Sequence, residues 1–299
     1  MHPSLEAARP RTLPAAVAPV AVGTLAAAAP PVQLRPERAV LALVVALALQ
    51  VAVNYANDYF DGVKGVDTEH RTGPRRAVAS GLIAPKAMLR ATVVALGVAG
   101  VAGLTLAALA GWELLLIGVL AIVATLGYSG GPKPYASAGL GEVMVFVFFG
   151  LVATTGSAYV QDEGLTLLPV LASVPMGLFA VALLVVNNLR DIPTDRLVGK
   201  VTLAVTLGQA RTRTLFAALV VGAYLAAVPV AVAGGSAWLL APVVSAPAGL
   251  GAVAAVRGAT EPGELIPVLQ RTALAQGLYA AMLVAALLVT GLGGVEAAR

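Results

Sequence analysis

Apolar stretches long enough to cross a lipid bilayer recur along the whole 299-residue chain and constrain its fold more than any other feature. A helix needs about 20 apolar residues to cross a hydrocarbon core about 30 Å thick. Backbone groups in lipid must be satisfied by helices or by a closed barrel, and these stretches lack the two-residue alternation of a barrel. We therefore predict an all-α polytopic membrane protein with nine transmembrane helices in one bundle. The predicted spans are residues 13–29, 39–57, 88–110, 112–128, 140–159, 167–188, 214–233, 237–256 and 272–292.

The composition excludes several other classes of protein. Hydrophobic residues make up 59% of the chain and charged residues only 11%, whereas about a quarter of an ordinary soluble domain is charged. A soluble globular enzyme, a disordered chain and a coiled coil are therefore excluded. Cysteine is absent, so we expect no disulfide framework and no thiolate metal site. We expect residues 1–299 to form a single integral-membrane domain.

The net charge of +4 reflects an uneven distribution of basic residues rather than a surface for nucleic acid. All 19 lysines and arginines except Arg35, Arg38 and Arg299 lie in the N-terminal segment or in alternate connections between predicted spans. The positive-inside rule then places the N-terminus in the cytoplasm and the C-terminus outside a cell membrane. Two long polar connections, 58–87 and 189–213, would face the cytoplasm, where we expect the active site.

Two acidic clusters begin at the cytoplasmic ends of the second and sixth predicted spans. In each cluster an Asn is followed by an Asp four residues later, so the two share one helix face if the helix continues. A further Asp lies about one turn beyond. The candidate metal ligands are Asn54, Asp58, Asp61, Asn187, Asp191 and Asp195, and the four aspartates are the candidate catalytic residues.

The residue types in these clusters favour a metal-bound polyanion. Carboxylate and amide oxygens suit hard cations, and Mg²⁺ is the usual cation beside phosphates. Basic residues are interleaved with the acids, which indicates a diphosphate bridged to the carboxylates by the metal. The alternative is that both clusters are solvated loop charges, but Asn54 and Asn187 lie in or at the edge of a span, where polar residues are costly. The candidate diphosphate-binding residues are Lys64, Arg71, Arg190 and Lys200.

The spacing of the clusters also suggests internal symmetry. They follow spans two and six, and an even number of crossings keeps both on one face of the membrane. The first eight spans would then form two parallel four-helix repeats, with the ninth helix added, and the site would lie between the repeats.

The chain resembles the UbiA-type intramembrane prenyltransferases at these motifs. That superfamily has nine transmembrane helices and aspartate-rich motifs after helices two and six. Within it, the chain is most similar to the branch that prenylates 1,4-dihydroxy-2-naphthoate in menaquinone synthesis. One departure from the broader family is Asp67, which follows Asp61 by six residues rather than four. The segments that carry the resemblance are 57–68, 71–76, 80–81, 128–132, 139–142, 187–195, 199–203 and 207–208.

The resemblance implies transfer of a polyprenyl group from polyprenyl diphosphate to 1,4-dihydroxy-2-naphthoate, with loss of CO₂ and diphosphate, giving demethylmenaquinone. It implies Mg²⁺ as the cofactor. The acceptor could instead be 4-hydroxybenzoate or homogentisate, and a membrane transporter is the non-enzyme alternative. The implied acceptor-binding residues are Tyr128, Ser129, Lys133 and Arg76, while the roles of Asn57, Asp67 and Glu142 stay open.

An allyl cation formed from the donor would need π-rich walls, since cations are stabilised over aromatic faces. Each of these rings could equally face lipid or pack in the core. The candidates are Tyr55, Tyr59, Phe60, Phe146, Phe148 and Phe149.

Overall fold

A computed structural model gives the fold of residues 2–27, 34–65 and 75–297. Two residues with predicted roles, Asp67 and Arg71, lie outside the described residues. Within the described ranges all regular secondary structure is helical, apart from one isolated bridge between Ala138 and Val201. The all-α prediction is therefore confirmed.

Ten helices follow one another along the chain, and several are composites of different helix types. They are α1 (Pro3–Ala7), α2 (Pro14–Ala26), α3 (Pro36–Val63), α4 (Pro85–Ala110), α5 (Leu114–Gly127), α6 (Gly141–Asp162), α7 (Leu167–Leu197), α8 (Leu203–Ala233), α9 (Ala237–Gly258) and α10 (Leu265–Ala297). Helix α9 begins as a 3₁₀ helix, Ala237–Ser245. Short 3₁₀ turns occur at Pro10–Thr12, Tyr135–Ser137 and Pro262–Glu264.

Seven of the helices in the described ranges are long and apolar enough to cross a membrane. Helices α2 and α5, at 13 and 14 residues, are shorter. At 1.5 Å per residue each is about 20 Å long, less than a bilayer core about 30 Å thick. The structure therefore bears out a multi-span helical bundle but does not confirm nine full spans.

Helices α3 and α7 run further than the apolar spans predicted for them. Helix α3 ends at Val63 and α7 at Leu197, so both acidic clusters lie on the last turns of helices. The prediction of two long polar loops is thus wrong in part: the helical segment α8 begins at Leu203, and only residues 198–202 separate it from α7. The predicted spans are too short because hydropathy shows only where the apolar residues end. Each helix continues past that point, with its polar residues facing a cavity.

Helix α7 is the most buried of the long helices and forms the centre of the bundle. Phe179 on this helix packs edge-on against Tyr224 of α8 and Tyr279 of α10, with ring centroids 5.6 and 5.5 Å apart. On the outside of the bundle, large apolar side chains such as Val94 and Val119 are exposed. Exposed apolar area of this extent suits lipid rather than water.

The middle of α6 is a π-helical segment, Phe146–Val152. Such segments are rare and frequently occur at functional sites. Here Gly150 packs against the backbone of Gly177 on α7, and a Cβ at Gly150 would lie 2.5 Å from the Gly177 Cα. The glycine pair therefore lets the two helices approach closely where α6 widens.

A polar contact joins three helices at the end of the bundle remote from the acidic clusters. The Arg38 guanidinium donates to the carbonyls of Leu109 and Val160 and pairs with Glu163, at 2.8 Å. Arg35 pairs with the same carboxylate at 2.7 Å, and these two arginines hold the pKa of Glu163 below its usual range. Arg35 and Arg38 thus lie at the opposite end of α3 from Asp58, as the alternation of basic residues predicts.

Candidate active site

One cavity of about 840 Å³ brings the two acidic clusters together. Its charged end is lined by Asn54, Asn57, Arg76, Asn187, Arg190, Asp191, Asp195 and Lys200. Beyond these, much of its wall is apolar and comes from α2 through α7, with residues such as Val45, Leu106 and Val152. The cavity is therefore amphipathic along its length, with charge concentrated at one end.

Asp58 lies beside the cavity wall and is almost fully buried. Its two carboxylate oxygens accept hydrogen bonds from the backbone N–H groups of Ala77, at 3.0 Å, and Val78, at 2.8 Å. These bonds fix the turn after residue 75 against α3. Asp58 therefore positions the turn that carries Arg76, a contact that the sequence pattern did not predict.

Asp61 joins the first cluster to the second. The Lys200 ammonium lies 3.3 Å from Asp61 Oδ2, and the Arg76 guanidinium lies 3.9 Å from the same oxygen. Arg76 also contacts Asn57 Oδ1 at 3.4 Å. Arg76, which the resemblance assigns to the acceptor, thus lies within the acidic clusters.

The second cluster is organised around Arg190. Its guanidinium donates to both carboxylate oxygens of Asp191, at 2.7 and 2.8 Å, and to Asn187 Oδ1 at 2.8 Å. Arg190 is 1% exposed. Its Nη1 has no hydrogen-bond partner among the described residues, although a buried donor left unpaired is costly. This N–H donor is therefore available to an anion or a polar group that enters the cavity.

The donor set suits a hard divalent cation, since amide side chains of both clusters and carboxylates of the second cluster line one cavity. Asp191 and Asp195 line its wall directly, and Asp61 reaches it through Lys200. No three acidic or imidazole groups within the described ranges converge into a metal centre. Asp61 and Asp191 are instead paired with the cations that would also bind a diphosphate.

The loop between α5 and α6 carries the residues predicted to bind the acceptor. Tyr128 lines the cavity, and its ring meets that of Tyr135 edge-on at 5.4 Å. Burial raises the pKa of Tyr135 to about 12, so its phenol stays protonated and donates to the Ala124 carbonyl at 2.8 Å. Tyr135 was not among the predicted residues, although its aromatic ring close to Tyr128 in the chain was a usable signal.

Other predicted residues lie outside the cavity lining. Lys64 donates to the carbonyls of Ser129 and Gly131, at 2.9 and 3.0 Å, so it ties α3 to this loop. Lys133 is exposed and does not line the cavity. Glu142 accepts a hydrogen bond from Asn188, at 3.0 Å, and so orients an amide that does line the cavity.

Two of the six aromatic candidates line the cavity, Phe148 and Phe149, both in the π-helical segment. Tyr55 and Tyr59 instead pack against the buried cluster around Met88. Phe60 lies over Gly130, and Phe146 packs on Gly177.

The N-terminal segment also contributes to the cavity, which the sequence pattern did not predict. Arg9, Pro10 and Thr12 are among its lining residues. Asn54, predicted as a metal ligand, donates its amide N–H to the Ala8 carbonyl at 2.9 Å. That contact leaves its Oδ1 as the atom with ligand chemistry.

Comparison with known proteins identifies the family of the chain. A model of the UbiA prenyltransferase family matches residues 16–264. The 1,4-dihydroxy-2-naphthoate octaprenyltransferase of Mycobacterium leprae (strain TN) is 45% identical over 290 residues, which cover 96% of each chain. The protein of the same name from Escherichia coli (strain K12) is 42% identical over 224 residues, 73% of this chain and 72% of its own.

Solved structures show the same fold at low sequence identity. A UbiA homolog from Aeropyrum pernix K1 superposes with a TM-score of 0.72 at 18% identity, covering 93% of this chain and 98% of its own. A UbiA homolog from Archaeoglobus fulgidus bound to GPP and Mg²⁺ gives a TM-score of 0.64 at 15% identity, covering 94% and 99%. With the family match over most of its length, this chain belongs to the UbiA prenyltransferase family and is a multi-pass membrane prenyltransferase.

Proposed function

We propose that this enzyme transfers a polyprenyl group from polyprenyl diphosphate to 1,4-dihydroxy-2-naphthoate, the reaction that leads to demethylmenaquinone. The observation that carries the proposal is the amphipathic cavity, whose charged end suits a diphosphate and whose apolar length suits an isoprenoid chain. The names of relatives 42–45% identical to this chain support the naphthoate acceptor and a long prenyl donor. Acceptors such as 4-hydroxybenzoate and homogentisate remain the alternatives within the family.

The charged end would hold the diphosphate through cations that already lie beside it. Lys200, Arg190 and Arg76 line the cavity, and the buried Arg190 Nη1, without a partner among the described residues, is a donor ready for a phosphate oxygen. Asp61, Asp191 and Asp195 would hold Mg²⁺. When bound, the metal would stabilise the negative charge that develops on the leaving diphosphate.

The apolar wall of the cavity would surround the allyl cation and its attack by the aromatic ring. The bond between the allylic carbon and the diphosphate oxygen breaks, and its electron pair leaves with the diphosphate. Phe148 and Phe149 offer ring faces to the allyl cation while the apolar lining excludes water. A carbon of the electron-rich naphthalene ring then forms the new C–C bond, CO₂ leaves, and the ring stays at the hydroquinone level.

We also propose the placement of the enzyme in its membrane. With α2 and α5 counted, nine helices cross or enter the bilayer, and the acidic clusters face the cytoplasm. The distribution of basic residues supports this orientation, because Arg35 and Arg38 lie at the opposite end of α3 from the clusters.

Purified enzyme, a polyprenyl diphosphate and either 1,4-dihydroxy-2-naphthoate or 4-hydroxybenzoate test the proposal. We expect the naphthoate to yield a prenylated product with release of CO₂ and diphosphate, with activity lost in EDTA and restored by Mg²⁺. Prenylated 4-hydroxybenzoate that keeps its carboxylate, without naphthoate product, would contradict the acceptor. Undiminished turnover in the chelator would contradict the metal.

A further inference from the structure

Gln50 is the one polar residue of α3 between Arg38 and Asn54. It lines the cavity, although the residue is only 7% exposed. Polar side chains inside membrane spans are costly and usually mark a functional site. Gln50 lies one helical turn before Asn54, about 6 Å along the axis, so it belongs to the apolar part of the cavity rather than to its charged end. The reaction steps described above give it no role.

The hydrogen bonds around Gln50 fix which end of its amide faces the N-terminal segment. The Thr12 hydroxyl donates to the Arg9 carbonyl at 2.9 Å, and a carbonyl oxygen can only accept. The single hydroxyl proton of Thr12 is therefore used, and its Oγ1 accepts from its other neighbours. Gln50 Nε2 donates to this oxygen at 3.0 Å, and the Asn54 amide N–H group approaches it at 3.4 Å. Thr12 thus holds the nitrogen end of the Gln50 amide.

The oxygen end of the Gln50 amide has no such contact. Gln50 Oε1 is buried and has no hydrogen-bond partner among the residues that the structure describes. A buried acceptor without a donor is costly, because it has lost its hydrogen bonds to water. Since Gln50 belongs to the cavity wall, a group that enters the cavity can supply the donor.

One participant in the proposed reaction carries a suitable donor. An ionised diphosphate and a carboxylate present oxygens that accept hydrogen bonds, and a prenyl chain presents neither donors nor acceptors. The phenolic hydroxyl groups of the aromatic acceptor do donate. In 1,4-dihydroxy-2-naphthoate the 1-hydroxyl lies beside the carboxylate and can bond to it within the molecule. The 4-hydroxyl is therefore the donor that is free for the protein.

Magnesium is the other group that an amide oxygen could bind. The residues of α3 that line the cavity beside Gln50 are Ala46, Leu49 and Val53, and their side chains offer no ligand to a metal. Asp58 lies two turns further along the helix, about 12 Å from Gln50 along the axis. The surroundings of Gln50 thus suit an aromatic hydroxyl better than a divalent cation.

We propose that Gln50 binds the aromatic acceptor by accepting a hydrogen bond from its 4-hydroxyl group, and that Thr12 is a positioning residue for the amide. The inference rests on the proposed function and adds a recognition residue to its acceptor subsite. A phenol that donates to an amide oxygen releases more electron density into its ring. The same contact should therefore assist the attack on the allyl cation.

The first test is Gln50→Leu, which keeps the size of the side chain and removes the amide. We expect a Tm close to that of the parent, because the variant loses one hydrogen bond but also an unpaired buried acceptor. The KM for 1,4-dihydroxy-2-naphthoate should rise roughly 2- to 12-fold, the loss typical of one neutral hydrogen bond. The KM for polyprenyl diphosphate and the Mg²⁺ concentration for half-maximal activity should not change.

Thr12 variants test the positioning role and also serve if Gln50→Leu does not fold. Thr12→Val frees the nitrogen end of the Gln50 amide, so the amide can turn away from the acceptor. We expect the acceptor KM to rise, by less than in Gln50→Leu. Thr12→Ser keeps the hydroxyl group and should restore the KM of the parent.

A ligand without the 4-hydroxyl makes the result specific to this contact. 1-Hydroxy-2-naphthoate keeps the ring and the carboxylate and should compete with the acceptor, and we expect the same inhibition constant for the parent and Gln50→Leu. The matched control is Gln276→Leu in α10. Gln276 is also buried, with an amide nitrogen that has no partner among the described residues, but it does not line the cavity. This variant should leave the acceptor KM unchanged.

Three results would overturn the inference. An unchanged acceptor KM in folded Gln50→Leu, or in Thr12→Val if the first variant is unstable, would leave the amide with a purely structural role. An equal loss of affinity for 1-hydroxy-2-naphthoate would show that the 4-hydroxyl is not the partner, and a higher Mg²⁺ requirement would assign Gln50 to the metal. Failure of the parent to prenylate any aromatic hydroxy acid would reject the proposed function itself, whereas normal parent turnover with an unaffected variant rejects only the role of Gln50.

Discussion

Lys200 and Asp61 are 139 positions apart in the chain, and the ammonium of one lies 3.3 Å from a carboxylate oxygen of the other. Both side chains are largely buried. The pair joins the end of α3 to the turn after α7 and so connects the two acidic clusters. A diphosphate that binds Lys200 would compete with this contact and release Asp61 towards a metal.

The Lys200–Asp61 pair predicts different outcomes for stability and for activity. Lys200→Met leaves the Asp61 carboxylate with a weaker partner at 3.9 Å, Arg76, and should cost about 1.5–3 kcal/mol, the range for a hydrogen bond to a charged group. The double variant Lys200→Met, Asp61→Asn removes both charges and should recover part of the lost Tm. Activity should stay low in both. Thermal unfolding in detergent and initial rates measure the two effects, and a double variant less stable than the single would contradict the pair.

Asp58 and Asp191 should respond differently to substitution, although both belong to the predicted metal set. Asp58→Ala removes the acceptor for two backbone N–H groups, at Ala77 and Val78, and should lower stability by about 1.5–3 kcal/mol for each charge-assisted bond lost. Asp191→Asn, which keeps a side-chain oxygen to accept from the buried Arg190, should abolish activity with a smaller change in Tm. Asp58 is therefore expected to matter for folding as well as for the site. Equal Tm values for the two variants would contradict this difference.

Gly156 offers a way to shorten the cavity without disturbing the bundle. It lines the cavity, and a Cβ built there meets no atom within 4 Å. Gly156→Phe should therefore fill space that a long prenyl chain needs. We expect a large loss of activity with octaprenyl diphosphate and a small one with geranyl diphosphate. Gly97→Phe is the control, because Gly97 also has open space around it but lies outside the cavity lining. If Gly156→Phe lost the same share of activity with both donors, the placement of the prenyl chain along this part of the cavity would be contradicted.

The topology can be tested with single cysteines, because the chain has none of its own. Cysteines at Ser80 and Thr206, both exposed near the acidic clusters, should react with a membrane-impermeant maleimide from the cytoplasmic side. A cysteine at Asp162, beside the Glu163 that pairs with Arg38, should react from the outer side. Labelling of Ser80 and Asp162 positions from the same side would contradict the orientation.

Much of the site could be predicted because residues that share one face of a helix recur at a fixed spacing in the sequence. Asn54 and Asp58, like Asn187 and Asp191, are four residues apart, and both helices do continue through their clusters. What the pattern could not give is the partner of each acid. The backbone N–H groups that bind Asp58 carry no sequence signal, and the pairing of Lys200 with Asp61 depends on how α3 and α7 pack.

The N-terminal contribution was missed for a different reason. In a membrane protein, basic residues before the first span are read as signals of orientation, and Arg9 fits that reading fully. The Arg9–Pro10 step was the available clue, since it breaks the helix that α1 begins. The short lengths of α2 and α5 could not be predicted from hydropathy either, because hydropathy does not show where a helix ends inside an apolar stretch.

Arg38 has a consequence for where the lipid product goes. By binding the carbonyls of Leu109 and Val160, it holds α3, α4 and α6 together at the end of the bundle remote from the acidic clusters, so we expect a long prenyl tail to be stopped there. Gly118 on α5 lines the cavity and is itself exposed. We infer that surplus isoprene units slip sideways past Gly118 into the surrounding acyl chains. The prenylated quinol would then enter the membrane interior directly, without passing through water.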